Sequence, residues 1–204
     1  MRVVSAIVAV LLMAVTSQAQ AQFNGQFRND AQFWDNRGWD NRDIMGGGPN
    51  FFGGGGASPI PREMVMYPTR YAPGTIVINT AERRLYLVLG GGEALRYGIG
   101  VGRDGFRWGG VHRISAKREW PEWTPPREMI ARRPDLPRHM RGGIENPLGA
   151  RALYLGSTLY RIHGSNEPET IGQAVSSGCF RMTNEDVVDL YNRVSVGATV
   201  VVMN

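Results

Sequence analysis

Residues 75–92 read Thr-Ile-Val-Ile-Asn-Thr-Ala-Glu-Arg-Arg-Leu-Tyr-Leu-Val-Leu-Gly-Gly-Gly. This stretch holds two apolar runs, Thr75 to Thr80 and Leu85 to Leu89, which are separated by a polar turn of four residues. Short runs of β-branched and aromatic residues bounded by turn residues are typical of strands. The stretch therefore predicts a pair of strands, and the same pattern recurs along the chain.

Other short apolar runs extend this pattern outward in both directions. They predict further strands at residues 94–102, 111–115, 152–155, 160–163 and 198–203. Between two of these runs, Lys117 to Pro147 is rich in proline and arginine and predicts a long excursion from the sheet. Within it, Pro125-Pro126 favours the start of a short helix, because proline is tolerated in the first helical turn. We therefore expect a mainly β fold with short helices.

A clear helix is predicted near the C-terminus. Thr183 can cap its N-terminus, and the carboxylates of Glu185 and Asp186 follow in the first turn. Apolar residues then recur at helical spacing, and Gly197 is expected to end the element before the last strand. The apolar residues of this helix are Val187, Val188, Leu190, Tyr191 and Val194.

The N-terminal third of the chain has a different character. Residues 1–21 resemble a secretory signal: Arg2 is followed by an apolar run, and Ala19-Gln20-Ala21 forms an A-x-A cleavage site. Residues 22–71 are rich in glycine and asparagine with scattered aromatics, which predicts a flexible, disordered tether. Aromatic residues that dock on a partner are the alternative for this segment, and an uncleaved anchor is the alternative for residues 1–21. We expect an exported, periplasmic protein whose folded domain spans residues 72–204.

Cys179 is the only cysteine of the 204 residues, and it lies in Ser176-Ser177-Gly178-Cys179-Phe180-Arg181-Met182. Exported proteins normally pair their cysteines in disulfides, so a single thiol calls for a chemical explanation. A buried hydrophobic role is one interpretation. The other is a nucleophile, with His163 as its base. Because Cys179 falls between a β segment and a helix, helix proximity favours its thiolate form.

The neighbours of Cys179 supply the other parts of a candidate acyl-transfer site. Gly178 permits a positive φ or a close approach of substrate, and the N–H groups of Gly178 and Cys179 are candidate oxyanion donors. Arg181 is a candidate for binding a substrate carboxylate, or pairs with Asp186 or another acid. His163 could instead be a structural histidine that is bonded to a backbone carbonyl.

These residues resemble the L,D-transpeptidase catalytic domain (YkuD) family, in particular its periplasmic Gram-negative branch. The resemblance rests on His163-Gly164, Ile171-Gly172 and Ser176-x-Gly178-Cys179-x-Arg181-Met182. It extends over residues 72–204, through Trp120-Pro121-x-Trp123-x-Pro125-Pro126, Gly142-Gly143, residues 146–150, and Leu190-Tyr191 with Gly197-x-x-Val200. The resemblance implies a β-sandwich-like domain of mixed strands.

The resemblance also implies a reaction and its partners. Cys179 would attack the carbonyl before the terminal D-alanine of a peptidoglycan stem peptide, and His163 would activate the thiol and protonate the departing D-alanine. An amine of another stem, or of an envelope protein, would then resolve the thioester. Arg181, Ser177 and Gly164 would bind substrate or order the loop. Neither a metal nor an organic cofactor is expected, nor is nucleic acid or a stable membrane span.

One position departs from the family pattern. Many members have histidine where this chain has Ser177, which concerns the tuning of the thiol and the choice of acceptor more than the class of reaction. Two alternatives stay open on the residues alone. One is a hydrolase of the same chemistry, either an L,D-carboxypeptidase or an enzyme that cleaves protein–wall links. The other is a non-catalytic wall-binding module.

Overall fold

The computed structural model of this chain describes residues 58–204. The predicted signal sequence and the tether up to residue 57 lie outside the described residues. The described part is built mostly of strands, which confirms the mainly β prediction. Its first five strands are β1 (Glu63–Met66), β2 (Ile76–Asn79), β3 (Arg84–Gly90), β4 (Glu93–Gly98) and β5 (Val101–Gly102).

The remaining strands follow the order in which their apolar runs occur in the sequence. They are β6 (Gly110–Glu119), β7 (Arg151–Leu155), β8 (Arg161–His163), β9 (Ala174–Ser176), β10 (Phe180–Arg181) and β11 (Thr199–Met203). Every predicted strand is present, although the predicted run 94–102 is divided between β4 and β5. β6 extends into the predicted excursion, which therefore begins after Glu119.

Nine of these strands form one mixed sheet in the order β1-β4-β3-β2-β11-β6-β7-β8-β10, and β5 pairs with β9 in a small second sheet. Most neighbours are antiparallel, but β2 pairs with β11, β8 with β10, and β5 with β9 in parallel. The expected mixture of strand directions is confirmed. The last strand of the chain thus lies in the middle of the sheet, between β2 and β6.

Strand β6 joins the two halves of the large sheet. Its first residues pair with β11 and its last ones with β7, and the register shifts between Ile114 and Ala116. A bulge of this kind bends a strand, so the two halves can face a common core. That core contains Ile76 of β2 together with Leu153 of β7 and Phe180 of β10, all almost fully buried. This arrangement confirms the sandwich-like prediction.

Two α-helices complete the described part: α1 (Arg127–Arg132), which Pro126 precedes as predicted, and α2 (Asn184–Arg193). The Thr183 hydroxyl accepts a hydrogen bond from the Asp186 N–H at 3.2 Å, which confirms the predicted cap of α2. Leu190 packs α2 against the core. The helix ends at Arg193, earlier than Gly197, because Val194 already has extended backbone angles. A 3-10 turn, Pro168–Thr170, lies between β8 and β9.

The predicted excursion forms the loop of the β6–β7 hairpin. Its base is closed by the Trp120 N–H, which donates to the Ala150 carbonyl at 2.8 Å. Inside the loop, the buried Asn146 side chain donates to the Pro121 and Arg141 carbonyls at 3.1 and 2.9 Å. Outside the short helix α1, the excursion is therefore organised mainly by hydrogen bonds.

The tether is predicted to run to residue 71, and the structure corrects this boundary. Glu63–Met66 pairs antiparallel with β4, and Ile60 lies against Gly98 and Gly172. Arg62 forms ion pairs with the carboxylates of Asp189 at 3.2 Å and Asp186 at 3.6 Å on α2. Sequence patterning missed this strand because its side chains are mostly exposed, so the expected apolar alternation is absent.

The corrected boundary gives a prediction about truncation. Removing residues 22–57 should leave the melting temperature of the domain within about 2 °C, whereas removing residues 22–70 should lower it by about 5 °C or more, because the second cut deletes β1 and the Arg62 ion pairs. Thermal unfolding followed by circular dichroism measures both. Equal melting temperatures for the two truncations would show that β1 contributes nothing to stability.

Candidate active site

Cys179 and His163 are brought together by two neighbouring parallel strands. In the pairing of β8 with β10, Ile162 lies opposite Phe180 and His163 opposite Arg181. Ile162 and Phe180 are 0% and 1% exposed, so both face the core. Side chains alternate along a strand, so His163, Arg181 and Cys179, which directly precedes β10, occupy the opposite face.

That face forms the wall of a cavity of about 1030 Å³. The predicted residues Cys179, His163, Ser177 and Arg181 all line it. The opposite wall comes from the β6–β7 loop, which contributes Trp123 and Met140, and from α1, which contributes Met129. The described residues 58–204 contain no group of three or more His, Cys, Asp or Glu side chains arranged to hold a metal ion.

His163 is held in one tautomer. It is 4% exposed, and its Nδ1 lies 2.6 Å from the carbonyl oxygen of Gly164. A carbonyl only accepts hydrogen bonds, so Nδ1 carries the proton and Nε2 keeps a free lone pair. Gly164 itself is tightly enclosed, because an added Cβ would lie 2.3 Å from Oδ1 of Asn184. Gly164 therefore orders the base through its carbonyl.

The resting charges of the pair follow from burial. Burial lowers the pKa of His163 to about 3, with Arg181 and Arg161 adding to this effect. Burial also raises the pKa of the Cys179 thiol, although the nearby Arg161 and Arg181 oppose the shift. Both groups are therefore neutral at pH 7. This differs from the expectation that helix proximity favours the thiolate, because the effect of desolvation exceeds the opposing effect of the two arginines.

The backbone around Cys179 is fixed by Ser176. Its hydroxyl donates to the Cys179 carbonyl at 2.6 Å and accepts from the Gly178 N–H at 3.1 Å. The Gly178 N–H, one of the two predicted oxyanion donors, is therefore already hydrogen-bonded to a side chain in this loop conformation. Within residues 58–204 no acceptor lies against the Cys179 N–H, so this group is the available oxyanion donor.

Two aromatic residues that sequence reasoning missed contact the cysteine loop, which is residues 177–179 between β9 and β10. Trp108 stacks on Tyr160 with 4.3 Å between ring centroids, and its indole N–H donates to the Gly178 carbonyl at 2.7 Å. Gly178 has φ +109°, and an added Cβ would lie 2.4 Å from the Tyr160 ring. The glycine before Cys179 is therefore required both by its backbone angle and by this ring.

Of the acids that the sequence left open as partners of Arg181, the structure shows one other than Asp186. Its guanidinium contacts Glu167 at 2.7 Å, whereas Asp186 pairs with Arg62. Glu167 leads into the 3-10 turn, so the ion pair ties β10 to the segment that follows β8. Since the Arg181 side chain still borders the cavity, an ordering role and a contact to substrate are compatible.

Comparisons with known proteins identify the class to which this fold and site belong. Residues 73–202 match the L,D-transpeptidase catalytic domain family (YkuD), and the chain belongs to that family. The probable L,D-transpeptidase ErfK/SrfK of Escherichia coli K12 is 36% identical over 154 residues, which cover 71% of this chain and 48% of that protein. The chain therefore spans about half the length of the curated relatives it matches.

Solved structures of L,D-transpeptidases have the same fold. An L,D-transpeptidase from Mycobacterium smegmatis aligns with a TM-score of 0.53 at 18% identity, over 65% of this chain and 59% of that one. A Brucella melitensis structure described as a probable carnitine operon oxidoreductase is 51% identical over 70% of this chain and 93% of that chain, with a TM-score of 0.48. That description concerns the Brucella protein alone.

No helix between residues 58 and 204 is long and apolar enough to cross a membrane.

Proposed function

We propose that this chain is an exported, periplasmic L,D-transpeptidase that acts on peptidoglycan stem peptides through a thioester on Cys179. The observation that carries the proposal is the pairing of a half-buried thiol with a buried imidazole in one cavity, where the imidazole keeps Nε2 free. Membership of the L,D-transpeptidase catalytic domain family supports the same substrate class.

Because Cys179 and His163 are both neutral in the resting site, the first step starts from a thiol and a neutral imidazole. As Sγ attacks the carbonyl carbon that precedes the terminal D-alanine, Nε2 of His163 takes the thiol proton. The carbonyl oxygen becomes an oxyanion, and the Cys179 N–H donates to it. No thiolate has to exist beforehand, because proton transfer accompanies attack.

The remaining steps return the site to its starting state. The tetrahedral intermediate collapses, the bond to the D-alanine nitrogen breaks, and that nitrogen receives the proton from Nε2. An amine of a second stem, or of an envelope protein, then attacks the thioester and gives a proton to Nε2. The new amide forms, and Sγ leaves and recovers its proton from His163.

Intact mass spectrometry of the purified chain with a tetrapeptide-stem muropeptide tests this function. We expect a transient acyl adduct on Cys179, release of D-alanine, and a cross-linked dimer. Release of D-alanine with only a tripeptide stem would indicate the hydrolase instead. Folded, reduced protein that forms no adduct and releases nothing would overturn the proposal and favour a wall-binding module.

A further inference from the structure

Arg161 lies directly beside the nucleophile. The parallel register of β8 with β10 places Ile162 opposite Phe180, so the preceding residues, Arg161 and Cys179, face each other. Both line the cavity. The Arg161 guanidinium is close enough to the thiol to lower its pKa, in opposition to the effect of burial. A fixed positive charge therefore stands next to Sγ.

Arg161 has no carboxylate partner, a property that it shares with the cavity residues Arg103 and Arg132, but of these three only Arg161 acts on the Cys179 thiol. Arg181, Arg151 and Arg193 each form an ion pair with a carboxylate, at 2.7, 3.2 and 2.8 Å. Throughout residues 58–204, no carboxylate lies within 4.0 Å of the Arg161 guanidinium. Its Nε is buried and has no hydrogen-bond acceptor there. A buried Nε of this kind also occurs in the ion-paired Arg151 and Arg96, so it is the missing counter-charge at the cavity wall that suits an anionic ligand.

The immediate neighbours of Arg161 hold it without neutralising it. Its guanidinium lies 5.1 Å from the centroid of the Tyr154 ring, a contact that orients the guanidinium plane. The Cys179 thiol is neutral in the resting site and cannot serve as a counter-ion. The residues around Arg161 thus leave its positive charge unneutralised.

The position of Arg161 relative to the Cys179 Sγ indicates which part of a ligand Arg161 would bind. In a stem peptide with its attacked carbonyl at Sγ, the terminal residue is the next residue along the chain. Successive residues are about 3.8 Å apart, so its free carboxylate lies within reach of a group beside Sγ. Arginine is the side chain best matched to a carboxylate, through two parallel hydrogen bonds.

We infer that Arg161 binds the terminal carboxylate of the acyl donor, on the residue that the reaction releases. This inference rests on the proposed function. Arg161 would then be a specificity-determining residue that restricts the enzyme to donors with a free C-terminus. The role of Arg161 differs from that of Arg181, because Glu167 already neutralises the Arg181 guanidinium.

The test compares two donors, a tetrapeptide stem that ends in D-alanine and the same stem that ends in D-alaninamide, in the wild-type chain and in Arg161→Gln. The wild type should prefer the acid in kcat/KM by about 10- to 100-fold, the range expected for hydrogen bonds to a charged group. Arg161→Gln changes the surroundings of Cys179 and His163 for both donors alike, but it should in addition lower the acid-to-amide ratio of kcat/KM by that factor, and Arg161→Lys should restore part of the ratio. Because the two leaving groups differ in reactivity, the measured quantity is the change in the acid-to-amide ratio between variants.

Arg113→Gln is the matched control. It removes the same charge from an exposed position on β6 outside the cavity, where the guanidinium donates to the Gly197 carbonyl, and it should leave the ratio unchanged. If Arg161→Gln lowers kcat/KM by the same factor on both donors, the inference is overturned, and Arg161 instead acts by tuning the thiol or by supporting the fold. An unchanged ratio would overturn it as well. A wild-type chain that consumes neither donor but still reacts with iodoacetamide at Cys179 would instead overturn the proposed function, and this assignment with it.

Discussion

Cys179→Ala should reduce D-alanine release by about 10⁴-fold or more. Cys179 is the only thiol of the chain, and the bond that it forms to the acyl group cannot be made by alanine. The adduct in the intact mass spectrum should vanish with the activity. Steady-state release of D-alanine from a tetrapeptide stem measures the first effect, and mass spectrometry measures the second.

Cys179→Ser is the matched variant for this test, since it keeps the size of the side chain and its position opposite Arg161. Serine is a poorer nucleophile beside a base that burial holds near a pKa of 3, so we expect activity close to that of Cys179→Ala. Both variants should melt near the wild-type temperature, because the thiol is only half-buried. Turnover near the wild-type rate in either variant would rule out the cysteine mechanism.

His163→Gln should lower kcat by about 10²- to 10⁴-fold, the range that a positioned general base contributes. Glutamine has nearly the reach of histidine and can still donate to the Gly164 carbonyl, so the loop is kept while the proton acceptor is lost. The rate of Cys179 acylation in single-turnover experiments isolates this step. A variant that acylates as fast as the wild type would place the base elsewhere.

The pH dependence of the wild type follows from the same residue. Burial lowers the pKa of His163 to about 3, so the imidazole stays neutral as the pH falls from 8 to about 5 and protonates only near its lowered pKa. Acylation should therefore show no acid limb near pH 6.5, the unperturbed value for histidine. An acid limb between pH 6 and 7 that His163→Gln removes would mean that the imidazole is solvated in the working enzyme.

The sequence predicts most of the fold because the central strands are continuous apolar runs. Ile76 to Ile78 is fully buried, as a strand covered on both sides should be. The helix after the cysteine is equally predictable from the sequence, since Thr183 and the spacing of Val187 and Leu190 specify it locally. Both catalytic candidates, Cys179 and His163, follow from residue type and family resemblance.

What the sequence does not predict depends on contacts between distant residues. β10 has two residues and β9 has three, too few for any periodicity to appear. The hydrogen bond from Trp108 to Gly178 joins residues 70 positions apart, and nothing local to either residue indicates it. The counter-charge of Arg181 and the lack of one at Arg161 are likewise visible only once the strands are paired.

The β6–β7 loop forms one wall of the cavity, while β8, β10 and the cysteine loop form the other. The loop leaves and rejoins the sheet at a single closed base, between Trp120 and Ala150. Because only this base connects the loop to the sheet, the loop can be exchanged as one unit while Cys179 and His163 keep their places on the other wall. Transplanting the loop from a relative should therefore change which ligands the cavity accepts without moving either residue.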